Sequence, residues 1–187
     1  QETPGLTQFI LQFLKLASGR LSASNFDSLL ANPAIQKQQG LKQEDVIKIS
    51  DCLQKTGFRW GLNAKERGGG EVHSLSWCLD RWLLGLVLPT IHGLAPGGAA
   101  PFSDGISFDD LTKWWNCLSL LSSQLAELRR PHTCTEWVNL LKLYAKDLFD
   151  DGGSWSWELK KFYSALQEWH ITASSCQYKL DASIVAD

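Results

Sequence analysis

The sequence contains no methionine, and it has no apolar run long enough to cross a membrane. A membrane-spanning helix needs about 20 apolar residues, whereas the most hydrophobic segment, residues 79–89, is much shorter and carries Asp80 and Arg81. The first residues also lack a basic stretch followed by an apolar one, so the sequence does not indicate a secretory signal. From Gln1 and the missing methionine we expect an internal piece of a longer polypeptide. From the lack of a long apolar run we expect no membrane partner.

Closely spaced cysteine pairs are absent too. The sequence has five cysteines, an odd number, and none of them forms a C-x-x-C pair. This pattern argues against both a disulfide framework and a zinc knuckle. Cys52 and Cys117 lie on apolar helical patterns and are predicted to be small core residues. Free thiols are typical of a reducing compartment, so we expect a cytoplasmic location.

Motifs that carry catalysis are also missing. No G-x-x-x-x-G-K-[ST] is present, and Gly68–Gly70 is not followed by Lys-Ser or Lys-Thr, so these glycines are predicted to form a flexible loop rather than a phosphate cradle. The four histidines have no H-x-x-x-H or H-E-x-x-H spacing, which argues against a zinc site. The acidic pairs Asp109–Asp110 and Asp150–Asp151 fall at predicted helix ends, where acids are common for structural reasons. The chain itself is therefore predicted to have no catalytic, cofactor-binding or metal-binding residues.

What the sequence does contain is the periodicity of α-helices. With 187 residues, 44% hydrophobic and 20% charged, the chain has enough apolar material for one large domain or two small ones. Apolar residues recur at three- and four-residue spacing over segments such as Gln43–Thr56, and no segment alternates cleanly enough for a strand. We therefore predict an all-α fold, a single compact multi-helix domain over residues 1–187. A Gly/Pro-rich loop of variable length is predicted at 93–105.

Capping residues predict several helix boundaries. Ser24–Asp27 has capping-box spacing, and Thr133–Glu136 has it with the usual glutamate. Gly57 is expected to end the helix before it. The helix predicted over about 76–88 is apolar almost all round, so it should lie at the centre of the domain, with these residues buried: Leu79, Trp82, Leu83 and Leu86. The tryptophans of this region are interpreted as core residues first and as base-stacking platforms second; they are Trp60, Trp77 and Trp82.

Charged residues next to this apolar helix are predicted to have a structural role. A buried charge is costly unless it has a partner, so Asp80 is predicted to pair with a nearby arginine. Arg59, in the turn before the helix, is the proposed partner, and the ion pair would hold that turn onto the helix. A direct DNA contact by Arg59 is the alternative. The predicted structural motif comprises Arg59, Trp60, Gly61, Asp80 and Arg81.

The overall charge limits any DNA-binding surface to a local one. The net charge is -2 and the pI is about 6.1, unlike a dedicated nucleic-acid-binding module. Residues 55–67 are nevertheless basic, with four cations against Glu66 alone. Lys65 and Arg67 are predicted to be the exposed members that contact DNA phosphates, with Lys55 as a further candidate. Arg59 is predicted to be committed to the fold.

Two segments of the chain resemble a known family. Residues 57–63 read G-F-R-W-G-L-N, and residues 73–89 read H-S-L-S-W-C-L-D-R-W-L-L-G-L-V-L-P. They are similar to the (I/F)-R-W-G-(L/I)-(D/N) turn and the H-(T/S)-x-x-x-x-L-x-R-x-L-L-G helix of the exodeoxyribonuclease V gamma subunit, the RecC family. Asn63 stands where an aspartate is common in that family. The flanking segments match only as generic amphipathic helices.

The resemblance implies a place in a larger machine. The gamma subunit resembles a superfamily 1 helicase that has lost its nucleotide motifs, and this chain would be its helical insertion, similar to the 2B subdomain. The implied function is a scaffold and DNA-channel domain of an ATP-dependent helicase–nuclease in double-strand-break repair by homologous recombination. The implied partners are RecB-like and RecD-like subunits and double-stranded or forked DNA, and only the partner subunits would need ATP and Mg²⁺. The alternative is an independent helical adaptor that binds proteins and never meets DNA.

Overall fold

The computed structural model describes residues 5–88, 99–102 and 106–186, and α-helices make up most of this part of the chain. No β-strand occurs in these ranges, only isolated bridges between Ser22 and Trp60 and between His132 and Leu180. The all-α prediction is therefore confirmed. Most of the predicted loop at 93–105 lies outside the described residues. The helices are α1 Leu6–Ser18, α2 Ala23–Leu30, α3 Pro33–Gln38, α4 Gln43–Thr56, α5 Leu75–Val87, α6 Phe108–Leu128, α7 Cys134–Phe149, α8 Ser156–Ala173 and α9 Ala182–Ala186.

The helices group into two compact units, which we describe separately. The first unit contains the described residues up to Gly19, together with Ser28–Lys42 and the residues from Ser123 onwards. The second unit contains Arg20–Asp27 and the described residues from Gln43 to Ser122.

In the first unit, α1 packs against α3, α8 and α9, and α7 packs against α3 and α8. The Phe9 ring lies edge-on to Phe149, with 5.3 Å between centroids, and both side chains are buried. Glu158 of α8 is also buried, and its carboxylate accepts hydrogen bonds from the backbone N–H groups of Gly5 (3.0 Å) and Thr7 (2.8 Å). The start of α1 is thus capped by a side chain that is distant in sequence.

In the second unit, two fully buried tryptophans join three helices. Trp82 of α5 and Trp114 of α6 meet edge to face, with centroids 6.3 Å apart. The Trp82 indole N–H donates to Thr56 Oγ1 at the end of α4 (2.7 Å), and the Trp114 indole N–H donates to Asp45 Oδ1 (3.2 Å). Lys113 Nζ lies 2.5 Å from the other oxygen of Asp45. Both indole N–H groups brought into this core therefore have an acceptor.

The predicted core cysteines are confirmed. Cys52 and Cys117 are buried, and none of the five cysteines, all within the described ranges, forms a disulfide. Burial raises the pKa of the Cys117 thiol to about 12, and it does the same for Cys78 against a smaller opposing effect of Arg81. These thiols stay neutral near pH 7 and act as small apolar side chains.

Two predictions about helix positions need correction. The hydroxyl of Ser22, not Ser24, accepts the backbone N–H of Asn25 at the start of α2 (3.2 Å), because the helix begins two residues earlier than the capping pattern predicted. In α5, Leu79 and Trp82 are buried as predicted, but Leu83 is 38% exposed and Leu86 is only half-buried. These two leucines line a shallow apolar groove with the first turns of α6, so they lie beside the core rather than in it.

Candidate nucleic-acid interface

The Trp60 turn, which we define as residues 57–63, is held within the second unit by its backbone. It connects to the chain before α2 on one side and to the chain before α5 on the other. The hydrogen bonds run from Arg59 N–H to His73 O (3.1 Å), from Ala23 N–H to Arg59 O (3.2 Å), from Gly61 N–H to Leu21 O (2.8 Å) and from Leu75 N–H to Gly61 O (2.9 Å). The turn is therefore a rigid base for the side chains that it carries.

Two glycines make this path possible. Gly57 (φ 95°) and Gly61 (φ 84°) both adopt positive φ, which side chains other than glycine rarely tolerate. A Cβ on Gly61 would also lie 3.0 Å from Cγ of Arg67, and one on Gly57 would lie 3.1 Å from Nδ1 of His73. The prediction that Gly57 ends α4 is confirmed by this geometry.

The ring of Trp60 packs against two guanidinium groups. Arg67 lies 4.6 Å from the ring centroid and Arg20 lies 5.1 Å from it. Arg67 also donates from Nη1 to the Trp60 carbonyl (2.9 Å). Trp60 is half-buried rather than a core residue, and it orients two cations at the surface of the unit.

The predicted exposure of two arginines was wrong. Arg67, predicted to be free for DNA, is half-buried and bound to Trp60, whereas Arg59, predicted to be committed to the fold, has an exposed side chain. The reason is that Arg59 serves the fold through its backbone N–H and C=O, which leaves its side chain pointing to solvent.

Lys65 is exposed as predicted, and the only acid in the basic segment is already engaged. Glu66 Oε2 accepts the backbone N–H of Leu62 (2.5 Å), and Asn63 Oδ1 accepts the backbone N–H of Glu66 (3.2 Å). An aspartate, which is common at this position in the family, could accept the same hydrogen bond from Glu66. Asn63 therefore preserves this contact. Lys55, the third predicted DNA contact, forms an exposed ion pair with Asp51 at 2.8 Å.

The predicted ion pair between Arg59 and Asp80 is not present. Asp80 lies on the exposed side of α5, and its pKa is raised by desolvation and by the nearby Glu71. An ion pair with an arginine would have lowered that pKa instead. Asp80 needs no buried partner, because α5 is not buried all round.

Arg81 performs the structural role that was predicted for that ion pair. Its Nη1 donates to the carbonyl of Thr56 at the end of α4 (2.8 Å), and its Nε donates to the carbonyl of Ala100 (2.6 Å). The guanidinium also lies 4.7 Å from the centroid of Trp77, which is half-buried. A cation at the C-terminus of α4 is favoured by the helix dipole.

Arg20 is the member of this cluster that the sequence did not predict. It contacts Trp60 although it lies before α2, and no spacing rule connects residues so distant in sequence. The antiparallel bridge between Ser22 and Trp60 brings them together. The cation cluster, as we call it from here on, consists of Arg20, Arg59, Lys65 and Arg67.

Neither metal-site geometry nor a membrane span occurs in the described residues. In residues 5–88, 99–102 and 106–186, no three His, Cys, Asp or Glu side chains are grouped so that they could hold a metal ion. Over the same ranges, every helix is too short or too polar to span a bilayer.

Comparisons with known proteins cover the whole chain. A family model described as RecBCD enzyme subunit RecC fourth domain matches residues 3–187. The chain is also 23% identical, over 193 residues, to the RecBCD enzyme subunit RecC of Haemophilus influenzae, in an alignment that covers 100% of the chain and 17% of that protein. The chain thus spans about a sixth of the length of this relative.

Proposed function

The chain belongs to the RecC fourth-domain family, and from this membership we propose that it is a scaffold and DNA-channel domain of a RecC-like subunit. In this proposal the chain is the counterpart of the 2B insertion of a superfamily 1 helicase. The assembled enzyme is an ATP-dependent helicase–nuclease that acts in double-strand-break repair by homologous recombination. Its other members are RecB-like and RecD-like subunits, and these use the ATP and Mg²⁺.

The observation that carries the DNA contact is the cation cluster around the Trp60 turn. None of its four members forms an ion pair with a carboxylate in the part of the chain that the structure describes. Unpaired cations on a rigid base suit a phosphodiester backbone, because each one can replace a counterion of the DNA. The chain as a whole has a net charge of -2, so the evidence for a DNA contact is the local grouping of these four cations and not the overall composition.

The cluster is arranged for phosphates rather than for base edges. The Trp60 ring already packs against two guanidinium groups, which leaves it poorly placed to stack on a base. Lys65 precedes three glycines in a turn, where a side chain is not held at the fixed angle that bidentate base recognition needs. Arg59 and Lys65 are therefore proposed as the main phosphate contacts, with Arg20 and Arg67 beside them. Lys55 contributes less, because Asp51 competes for its charge.

The test removes the two exposed members of the cluster that do not contact Trp60. The double variant Arg59→Ala/Lys65→Ala, placed in the assembled complex, is titrated with forked DNA at several salt concentrations. Because each lost phosphate contact lowers the salt slope by about 0.9, the slope should fall by about 1.8. Binding should weaken similarly for all sequences, since phosphates carry no sequence information.

A charge-conserving variant is the matched control. Arg59→Lys/Lys65→Arg keeps both charges at the same positions, so it should retain the wild-type slope. If the alanine variant also retains it, the Trp60 turn is not in the DNA path. The alternative of a protein-binding adaptor would then be favoured, provided that the complex still assembles.

A further inference from the structure

A second basic surface lies in the first unit, far along the sequence from the Trp60 turn. An open groove of about 530 Å³ runs between α7 and α8, and we call it the lysine groove. Every residue that lines it carries a polar group, and none is acidic: Lys142, Lys146, Tyr163, Ser164 and Gln167. The function proposed above makes no use of these residues.

The two lysines are arranged along one side of the groove. Lys142 and Lys146 are one helical turn apart on α7, so their side chains emerge on the same face. Lys142 Nζ reaches across to Gln167 Oε1 of α8 (3.3 Å), while Lys146 is exposed. Neither lysine forms an ion pair with a carboxylate in the part of the chain that is described.

None of the acids on the same two helices lines the groove, although Glu168, next to Gln167 in sequence, is exposed. Glu136 caps the start of α7, and Glu158 is buried against the start of α1. Asp147 follows Lys146 in sequence, but its carboxylate accepts a bond from Gln124 (3.4 Å). The residues that line the groove therefore carry positive charge and no negative charge.

The opposite side of the groove supplies hydrogen-bond donors. Ser164 and Gln167 are exposed, and Tyr163 is half-buried. Desolvation raises the pKa of Tyr163, so its hydroxyl remains protonated and can donate at neutral pH. Two ammonium groups, two hydroxyls and an amide can all donate to phosphate oxygens.

We propose that the lysine groove binds the phosphodiester backbone of a DNA strand. This proposal rests on the function proposed above only for the identity of the ligand as DNA. The groove residues themselves account for binding of phosphate groups. An open groove with two unpaired cations tracks a backbone, and the Tyr163 ring offers one surface on which a base can stack. A peptide with acidic side chains is the alternative ligand of the groove. In that case, removing the two lysines would leave DNA binding unchanged.

The first experiment measures salt slopes with the assembled complex. Lys142→Ala/Lys146→Ala should lower the slope by about 1.4 with a single strand or about 1.8 with a duplex, since two contacts are lost in either case. The matched control is Lys15→Ala/Lys179→Ala, which removes two exposed lysines of the same unit outside the groove and should leave the slope nearly unchanged. Tyr163→Phe should weaken binding less than the double variant, because it removes one neutral donor.

The second experiment needs no variant and so does not depend on folding of a mutant. In the wild-type complex, lysines are acylated with and without a single-stranded oligonucleotide or a blunt duplex, and the products are identified by mass spectrometry. Lys142 and Lys146 should be protected by one of these DNA forms, whereas Lys15 and Lys179 should not. Absence of protection by both forms would overturn the proposal. The two proposals can also be separated. If the two lysines are protected in the wild-type complex and the Arg59→Ala/Lys65→Ala variant keeps the wild-type salt slope, the lysine groove is supported and the Trp60 turn is rejected as a DNA contact.

Discussion

At the scale of single residues, Thr56 is the point at which α4 and α5 are joined. Its hydroxyl donates to the Cys52 carbonyl (2.6 Å) and accepts the indole N–H of Trp82 (2.7 Å), while its own carbonyl accepts from Arg81 (2.8 Å). All of these groups lie at the end of α4, immediately before the Trp60 turn. The position of the cation cluster therefore depends on how well α5 is packed.

Trp82 is the residue whose loss should cost most in this region. It is fully buried, meets Trp114 edge to face and donates one hydrogen bond. Trp82→Ala should lower the free energy of unfolding by about 3–5 kcal/mol, as large aromatic truncations in cores do. The measurement is chemical unfolding of the protein followed by far-UV circular dichroism.

Leu83→Ala is a suitable comparison, because the two residues are neighbours on α5. Leu83 is 38% exposed, so its truncation should cost far less than that of Trp82. Equal losses for the two variants would contradict the burial pattern described for α5, and so would an unchanged stability of Trp82→Ala.

The sequence predicted apolar positions better than charged ones at this scale. Burial of Leu79 and Trp82 follows from helical periodicity, which is a local property. The exposure of Arg59 and Arg67 depends on which atoms make the tertiary contacts: the backbone in Arg59 and the side chain in Arg67. Helical periodicity does not predict this difference. The prediction of a buried partner for Asp80 depends on α5 being buried on every side, and the exposed Leu83 and Val87 show that it is not.

At the scale of elements, helix boundaries followed the capping signals where these signals were complete. The bounds of α4 agree with the predicted Gln43–Thr56, and Thr133 and Glu136 form both bonds of a capping box at the start of α7. Ser24 failed as a cap because Ser22, at the bridge to Trp60, already occupies that position. A local pattern cannot reveal such a bridge, since the two residues that form it come from distant parts of the sequence.

The start of α1 shows the same limit, because its cap comes from α8. Gly5, the residue before the helix, has no side chain that could accept hydrogen bonds from the first N–H groups of α1. A Cβ on Gly5 would lie 2.5 Å from the Trp155 ring, so only glycine fits there. The buried carboxylate of Glu158 accepts two N–H groups in its place.

Glu158→Gln should therefore destabilise the protein although it is nearly isosteric. The amide keeps one acceptor oxygen and presents an N–H₂ group to the second backbone donor, which loses its partner. Leaving one buried donor unsatisfied costs about 1–3 kcal/mol, which thermal unfolding can measure. Glu168→Gln, an exposed change on the same helix, should stay within about 0.5 kcal/mol of the wild type. A loss for Glu158→Gln no larger than for this control would mean that the cap does not stabilise α1.

At the scale of the whole molecule, membership of the RecC fourth-domain family was predicted from residues 57–63 and 73–89, and it is confirmed. Those segments are also where the two rigid features of the second unit lie, the Trp60 turn and α5. The positive groups are concentrated locally in a chain of net charge -2. Composition alone could not have located them, because folding brings together Arg20 and Arg67 in one case and Lys142 and Gln167 in the other.

The prediction of a single domain can be tested by the cooperativity of unfolding. The chain passes between the two compact units after Gly19, Asp27, Lys42 and Ser122, so neither unit is a continuous stretch of sequence. Units interleaved in this way cannot be separated by cutting one linker, and we expect them to unfold together. Circular dichroism and tryptophan fluorescence should then report one coincident transition, as two-state unfolding requires. Trp82→Ala in the second unit and Glu158→Gln in the first should each move that whole transition to lower denaturant concentration. Two separate transitions, each sensitive to only one of these variants, would instead show that the chain contains two independent domains.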